Sequence, residues 1–139
     1  MLIETRRTIR PILENVITPT ALILIDDDVV KTYMNADVEF NTEAASDNVE
    51  AIWEYVKGKK VYHLAVPDAS TQITMGVEEF GDRRFENLKL AEAIIVKTLA
   101  HRILAKAFVK VRCSKYPIEM FEDENDALAW FDTLRATTN

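Results

Sequence analysis

The amino-acid sequence predicts an α/β domain in which a mostly parallel, mixed sheet is covered by helices. Short runs of β-branched and other apolar residues, typical of buried strands, recur along the chain. Stretches with apolar residues at helical spacing separate most of these runs, and such alternation demands parallel strands joined by crossovers. Only three glycines and four prolines punctuate the 139 residues, and no linker divides them, so we predict one domain over residues 1–139.

The first two predicted strands form an antiparallel hairpin. Residues 21–25 (ALILI) are a buried strand, the three aspartates 26–28 are a turn, and residues 29–34 (VVKTYM) are the returning strand. The pattern of residues 1–20 does not distinguish strand from helix, and we predict that they form an N-terminal extension. Pro11 and Pro19 interrupt them, and residues 8–13 fit either a short strand or the start of a helix.

The clearest helix follows the hairpin. Asn41 is a candidate N-cap, with Glu43 in the first turn, where the helix dipole favours an anion. Gly58 is expected to end the helix. One apolar stripe recurs at helical spacing and is predicted to face the core: Ala45, Val49, Ile52, Trp53 and Val56.

The rest of the chain alternates strands and helices. Residues 61–66, 90–96 and 116–121 are predicted strands, and residues 70–85 are a predicted helix interrupted by glycines. Thr98 and Asp123 are predicted to cap the last two helices. The helix after Thr98 should bury Leu99, Ile103, Ala107 and Val111, with Leu104 and Phe108 beside them. The helix after Asp123 should bury Ala127, Leu128, Phe131 and Leu134. The predicted order is therefore β-β-α-β-α-β-α-β-α.

Several stretches carry a family resemblance: AIIV at 93–96, residues 101–108, Tyr116-Pro117, Phe121 and ALAWF at 127–131. Together they resemble STAS-like domains over roughly residues 21–136. They are most similar to the small stand-alone bacterial branch of anti-sigma-factor-antagonist-like (STAS/SEC14-like) proteins. The resemblance implies a STAS-like module that binds a partner protein, in some members under control of a phosphorylated serine. Here residues 68–76 (DASTQITMG) lack the Asp-Ser-Ser-Gly run of those members, and Gly76 falls at the acceptor position. Ser70, Thr71 and Thr74 lie nearby, and capping of a helix is favoured over phosphorylation as the role of their hydroxyls.

Charge and cysteine content exclude some functions. The net charge is −6, from 23 acidic and 17 basic residues, which disfavours nucleic acid as a partner. The basic cluster of Arg6, Arg7 and Arg10 is expected to be a solvated segment. Cys113 is the single cysteine, so neither an intramolecular disulfide nor a cysteine zinc site is possible. With no signal sequence or membrane-spanning run recognised, we expect a cytoplasmic protein.

No catalytic motif is recognised, so we predict that the protein is not an enzyme and needs neither cofactor nor metal. The three aspartates 26–28 favour an acidic hairpin turn over a cation site. Cys113 lacks a base beside it in the sequence. His63 is expected to be a packed, hydrogen-bonded histidine of a strand. An enzyme would require His63, His101 or Cys113 to converge with a carboxylate.

A candidate ligand or partner site lies where loops follow two parallel strands. The loops after Val66 and Val96 should open on one edge of the sheet, where ligands of α/β folds commonly bind. A helix N-terminus there favours an anion. The site residues predicted on this basis are Ser70, Thr71, Thr74, Thr98, His101 and Arg102.

Two functional hypotheses follow. The first is a regulatory module that binds either a protein partner or a second copy of itself as a homodimer. The contact surface would be an apolar face formed by Met75, Val77 and Phe80. The second is a carrier or sensor that holds an apolar, lipid-like or anionic small molecule between sheet and helices. An elongated apolar cavity near Phe80, Phe85, Leu104 and Phe108 would favour this hypothesis, and a solid core would oppose it.

Overall fold

The computed structural model describes residues 13–74, 87–111 and 116–138. Their elements, in chain order, are β1 (Leu13–Ile17), β2 (Ala21–Asp26), β3 (Val29–Met34), β4 (Glu39–Phe40), α1 (Thr42–Val56), β5 (Val61–Val66), β6 (Gln72–Ile73), β7 (Lys89–Ile95), α2 (Leu99–Val111), β8 (Ile118–Phe121) and α3 (Glu124–Thr138). Six strands form one sheet in the order β1-β2-β3-β5-β7-β8. The pairs β1-β2 and β2-β3 are antiparallel and the others parallel, which confirms the predicted α/β class with a mixed sheet.

The hairpin of β2 and β3 has the predicted place. Asp26 pairs with Val29, so Asp27 and Asp28 alone form the turn, and Asp27 adopts a left-handed φ of 57°. Arg135 of α3 donates two hydrogen bonds to the Asp28 carboxylate, at 2.9 and 2.7 Å. Within the described part of the chain, no three His, Cys, Asp or Glu side chains are grouped to hold a metal ion. Asp28 thus joins the turn to α3.

Helices cover both faces of the sheet. Helix α1 packs Val49 and Ile52 with Ile23 and Val30 of the sheet, and α3 packs Ala127 and Phe131 against the other face. The predicted caps are present. Asn41 Oδ1 accepts from the Ala44 amide at 2.9 Å, Thr98 Oγ1 from the His101 amide at 3.1 Å, and Asp123 Oδ1 from the Asn125 amide at 2.7 Å. No helix within the three described ranges has the length and apolar character needed to cross a membrane.

Helix α2 is rotated relative to the prediction. Leu99 and Ile103, predicted to be buried, are 72% and 59% exposed, whereas His101, Ala105 and Phe108 face inward. Apolar residues on two sides of this helix made its rotation ambiguous, and a hydrogen bond from His101 to the backbone helps to set it. Trp53 of α1 is likewise 36% exposed, although the predicted stripe included it.

The predicted helix over residues 70–85 is wrong at its start. Residues 72–73 instead form β6, whose parallel pairing with β4 joins Glu39 to Gln72 and Phe40 to Ile73. Ile73 packs against the core cluster around α1, and this burial outweighs the helical pattern that continues beyond it. The remainder of the predicted helix lies outside the described residues. Strand β1, which pairs with β2 along the sheet edge, was not predicted.

A bulge in β7 changes which of its side chains share a face. Val61 pairs with Lys89 and Tyr62 with Ala91, so Leu90 is an extra residue and is exposed. Side chains two apart normally share a face of a strand, but the extra residue puts Lys89 and Glu92 on the same face. Both are buried there, beneath α1 and α2.

Candidate functional site: a cavity with buried polar side chains

A partly open cavity of about 110 Å³ lies between the sheet and helices α1 and α2. Its walls are mostly apolar and include Phe40, Ile52, Ile73, Leu104 and Phe108. Polar side chains also reach it from three strands and two helices: Thr32, Asn48, His63, Lys89, Glu92 and His101. All six are buried. The cavity lies beside Leu104 and Phe108, two of the four residues around which the carrier hypothesis expects it, and the other two lie outside the described residues.

Three neighbouring strands contribute a connected polar row. Thr32 Oγ1 of β3 lies 2.8 Å from Nε2 of His63 in β5. Nδ1 of the same ring lies 3.2 Å from Oε1 of Glu92 in β7, and Lys89 Nζ forms an ion pair with that same oxygen. The hydroxyl, imidazole, carboxylate and ammonium groups thus form one chain of contacts, which the bulge at Leu90 makes possible.

The charges of this row hold Glu92 ionised. Burial raises the pKa of its carboxyl group, but the positive charge of Lys89, the contact with His63 and the hydrogen bonds of both outweigh burial and lower the pKa to about 2. The Lys89 ammonium also lies 5.8 Å from the centre of the Tyr116 ring. The ammonium and the carboxylate cancel one another, so the pair adds no net charge to the cavity wall.

Asn48 has an unusual position in the middle of α1. Its side chain lines the cavity and the residue is only 3% exposed, yet neither Oδ1 nor Nδ2 bonds to any residue that the structure describes. Asparagine is a poor residue for a helix interior, and a buried polar group without a partner costs about 1–3 kcal/mol. A group that destabilises the fold therefore faces the cavity.

His101 presents a second polar atom of this kind. Its Nε2 lies 2.9 Å from the carbonyl oxygen of Thr71, and a carbonyl only accepts, so Nε2 carries the proton. In the neutral ring Nδ1 is then an acceptor. This atom is buried and has no hydrogen-bond partner among the described residues. The amide of Asn48 and this ring nitrogen leave donor and acceptor capacity unused at the cavity wall.

The structure brings together part of the site predicted from the sequence. Thr71, Thr98 and His101 meet at one edge of the sheet, where the His101 side chain bonds to Thr71 and its amide to Thr98. The Thr71 hydroxyl donates to the Asn35 carbonyl at 2.9 Å. Arg102 points elsewhere and pairs with Glu122 at 2.6 Å.

The other two predicted hydroxyls have partners in the loops. Ser70 Oγ donates to Asp68 at 2.7 Å and accepts from the Asp37 amide at 2.8 Å. The backbone and side-chain hydrogen bonds of Ser70 hold the pKa of Asp68 below its usual value. Thr74 Oγ1 donates to Glu39 at 2.9 Å. The other predicted positions lie outside the described residues: Met75, Val77, Phe80, Phe85 and Cys113.

Sequence reasoning singled out His63 but missed its partners. Glu92 lies within an otherwise apolar predicted strand, and Asn48 lies at a position that belongs to the apolar stripe of α1. Polar residues at such positions were the available signal. Lys89 gave no comparable signal, because its side chain joins the row only through the bulge at Leu90.

Comparison with known proteins adds a family. Residues 23–135 match the model of a domain of unknown function, DUF7793. The chain belongs to this family. No curated protein matches the sequence. Among solved structures, the chain is similar to an uncharacterised protein of the DUF3478 family with a SpoIIAA-like fold from Shewanella loihica PV-4. The TM-score is 0.47 and the identity 14%, over 87% of this chain and 93% of that one.

Proposed function

We propose that this DUF7793 protein is a non-enzymatic sensor or carrier that binds a small molecule in the cavity between the sheet and helices α1 and α2. The observation that carries the proposal is the Asn48 amide, buried at the cavity wall with no partner among the described residues. Buried polar groups in proteins are nearly always hydrogen-bonded. A bound molecule would supply the missing partner.

The size of the cavity limits its occupant. Protein interiors are close-packed, and a cavity of about 110 Å³ costs on the order of 3 kcal/mol if it stays empty. An engineered apolar cavity of about 150 Å³ in another protein binds benzene. This cavity is smaller, so its occupant should be no larger than about benzene, and binding would recover part of that free energy.

The polar row supports a structural role rather than catalysis. Thr32, His63 and Glu92 follow the order of a nucleophile, base and acid. However, Lys89 occupies the same Glu92 oxygen that His63 approaches, so the carboxylate is already neutralised and would do little to stabilise an imidazolium ion. The row is better suited to holding the cavity wall in one arrangement.

Equilibrium dialysis against a metabolite extract tests the proposal. The Ala105→Leu variant extends a buried, cavity-lining residue of α2 into the cavity, and Ala100→Leu makes the same change at an exposed position of that helix. We expect mass spectrometry to detect a small molecule enriched by the native protein and by Ala100→Leu, but not by Ala105→Leu. Equal enrichment by all three proteins, or by none, would contradict the proposal.

A second candidate function, the protein-interaction role implied by the STAS-like resemblance, has one observation in its favour. Leu99 and Ile103 are one turn apart on α2 and mostly exposed, and exposed apolar neighbours are typical of contact surfaces. Self-association through them predicts a dimer in light scattering at high concentration, and Ile103→Lys should dissociate it. A monomer at every concentration would exclude self-association.

A further inference from the structure

We infer that the ligand of this cavity is a small, neutral molecule that joins a carboxamide-like edge to a short branched apolar body. This inference rests on the proposed function and specifies the chemistry of the molecule. It follows from the unpaired polar atoms, the balanced charges and the apolar walls of the same cavity.

The Asn48 side chain defines the complementary edge. Its Nδ2 group is a donor and its Oδ1 an acceptor, and neither is used by the described protein. A ligand group satisfies both when it presents an acceptor and a donor side by side in one plane. A primary carboxamide has this pattern, whereas a ketone offers only the acceptor and leaves Oδ1 unpaired.

The unpaired nitrogen of His101 adds to the requirement for donors. In the tautomer that donates Nε2–H to the Thr71 carbonyl, Nδ1 is an acceptor, and it lacks a donor among the described residues. A carboxamide carries two N–H bonds, and Asn48 and His101, which both line this cavity, each have an acceptor atom without a partner among the described residues.

The charges of the wall favour a neutral ligand. Lys89 is the one lysine or arginine among the described lining residues, and Glu92 already pairs with it. A carboxylate ligand would therefore enter a low-dielectric site without a free counter-charge, and burial of an unpaired charge is costly. The surrounding Ile73, Leu104 and Phe108 favour an alkyl body instead.

Three isosteric probes test this chemistry on the full chain: isobutyramide, 3-methyl-2-butanone and isobutyrate. Methyl NMR of the cavity-lining Ile52, Ile73 and Ile94 measures their dissociation constants at neutral pH. We expect isobutyramide to bind at least about tenfold more tightly than the ketone, because the ketone leaves a buried acceptor unpaired. Isobutyrate should bind more weakly than either.

Asn48→Leu tests whether the Asn48 amide recognises the carboxamide group of the ligand, and the same substitution at exposed Asn125 is the control. The variant should bind isobutyramide no better than the ketone, while the control keeps the preference. Equal binding of both neutral probes by the native protein, or tightest binding of isobutyrate, would overturn the inference and leave the cavity as a binding site. If no probe gives a saturable shift, the proposed function fails together with the inference.

Discussion

Replacing Asn48 with leucine should stabilise the ligand-free protein. Core substitutions usually destabilise, so this expected sign is unusual. It follows from the position of the asparagine in the middle of α1, with both amide atoms buried and no partner among the described residues. Leucine has a similar size, and it replaces the polar atoms with apolar carbon in a cavity wall that also contains Ile52 and Phe108.

The magnitude can be worked out from two contributions. Removing a buried amide that lacks partners relieves about 1–3 kcal/mol, and leucine is a better helix former than asparagine by about 0.5 kcal/mol. The sum is about 2 kcal/mol after part of the desolvation gain is offset by imperfect packing. For a domain of this length, that corresponds to a rise in Tm of about 6 °C.

Thermal and urea denaturation of the ligand-free proteins measure the change, with exposed Asn125→Leu reporting what the same substitution does outside the cavity. We expect the free energy of unfolding to rise in Asn48→Leu and to stay unchanged in Asn125→Leu. A loss of 1 kcal/mol or more, with the control unchanged, would refute it, because the amide would then be making favourable bonds in the ligand-free fold.

Three further predictions concern buried charges and hydroxyls. Lys89→Met and Glu92→Gln should each lower the free energy of unfolding by about 3–5 kcal/mol, because each single change removes one half of a buried ion pair. The double variant should recover most of this loss, and a double-mutant cycle in urea that gives additive losses would contradict the prediction. The Glu92 pKa is lowered from 4.5 to about 2, so the ionised carboxylate stabilises the fold fully above pH 4.5, and this contribution is lost as the pH falls towards 2. In an acid titration followed by circular dichroism, the double variant should lack this pH-dependent loss of stability. Burial and a glutamate of α3 raise the pKa of Tyr33 from 10 to about 12, so the protonated hydroxyl stabilises the fold below pH 10 and that contribution is lost as the pH rises through 12. Ultraviolet titration of native protein against Tyr33→Phe should place this transition near pH 12, and a transition near 10 would contradict the contact.

Local chemistry made much of the fold predictable. The apolar runs around an acidic turn specify the hairpin of β2 and β3, and a capping side chain before each apolar stripe marks the start of a helix. These signals involve residues only a few positions apart, so they can be recognised in the sequence. The predicted juxtaposition of Thr71 and His101 also appears, because the carboxyl ends of adjacent parallel strands open on one edge.

Features that depend on distant parts of the chain were missed. The rotation of α2 is set partly by the contact between His101 and Thr71, thirty residues apart in the sequence. The polar row depends on the bulge at Leu90, which alters the alternation of β7 by one residue and so places Lys89 beside Glu92. Strand periodicity assumes unbroken alternation, so it could not reveal this pair.

The most direct test of the central claim is whether the cavity admits a molecule at all. Xenon under pressure suits this test, because its shifts on labelled isoleucine methyl groups report occupancy independently of hydrogen bonding. We predict saturable shifts at Ile52, Ile73 and Ile94 in the native protein, and their loss in Ala105→Leu. No saturable shift, or the same response in both proteins, would contradict a ligand site between the sheet and helices α1 and α2.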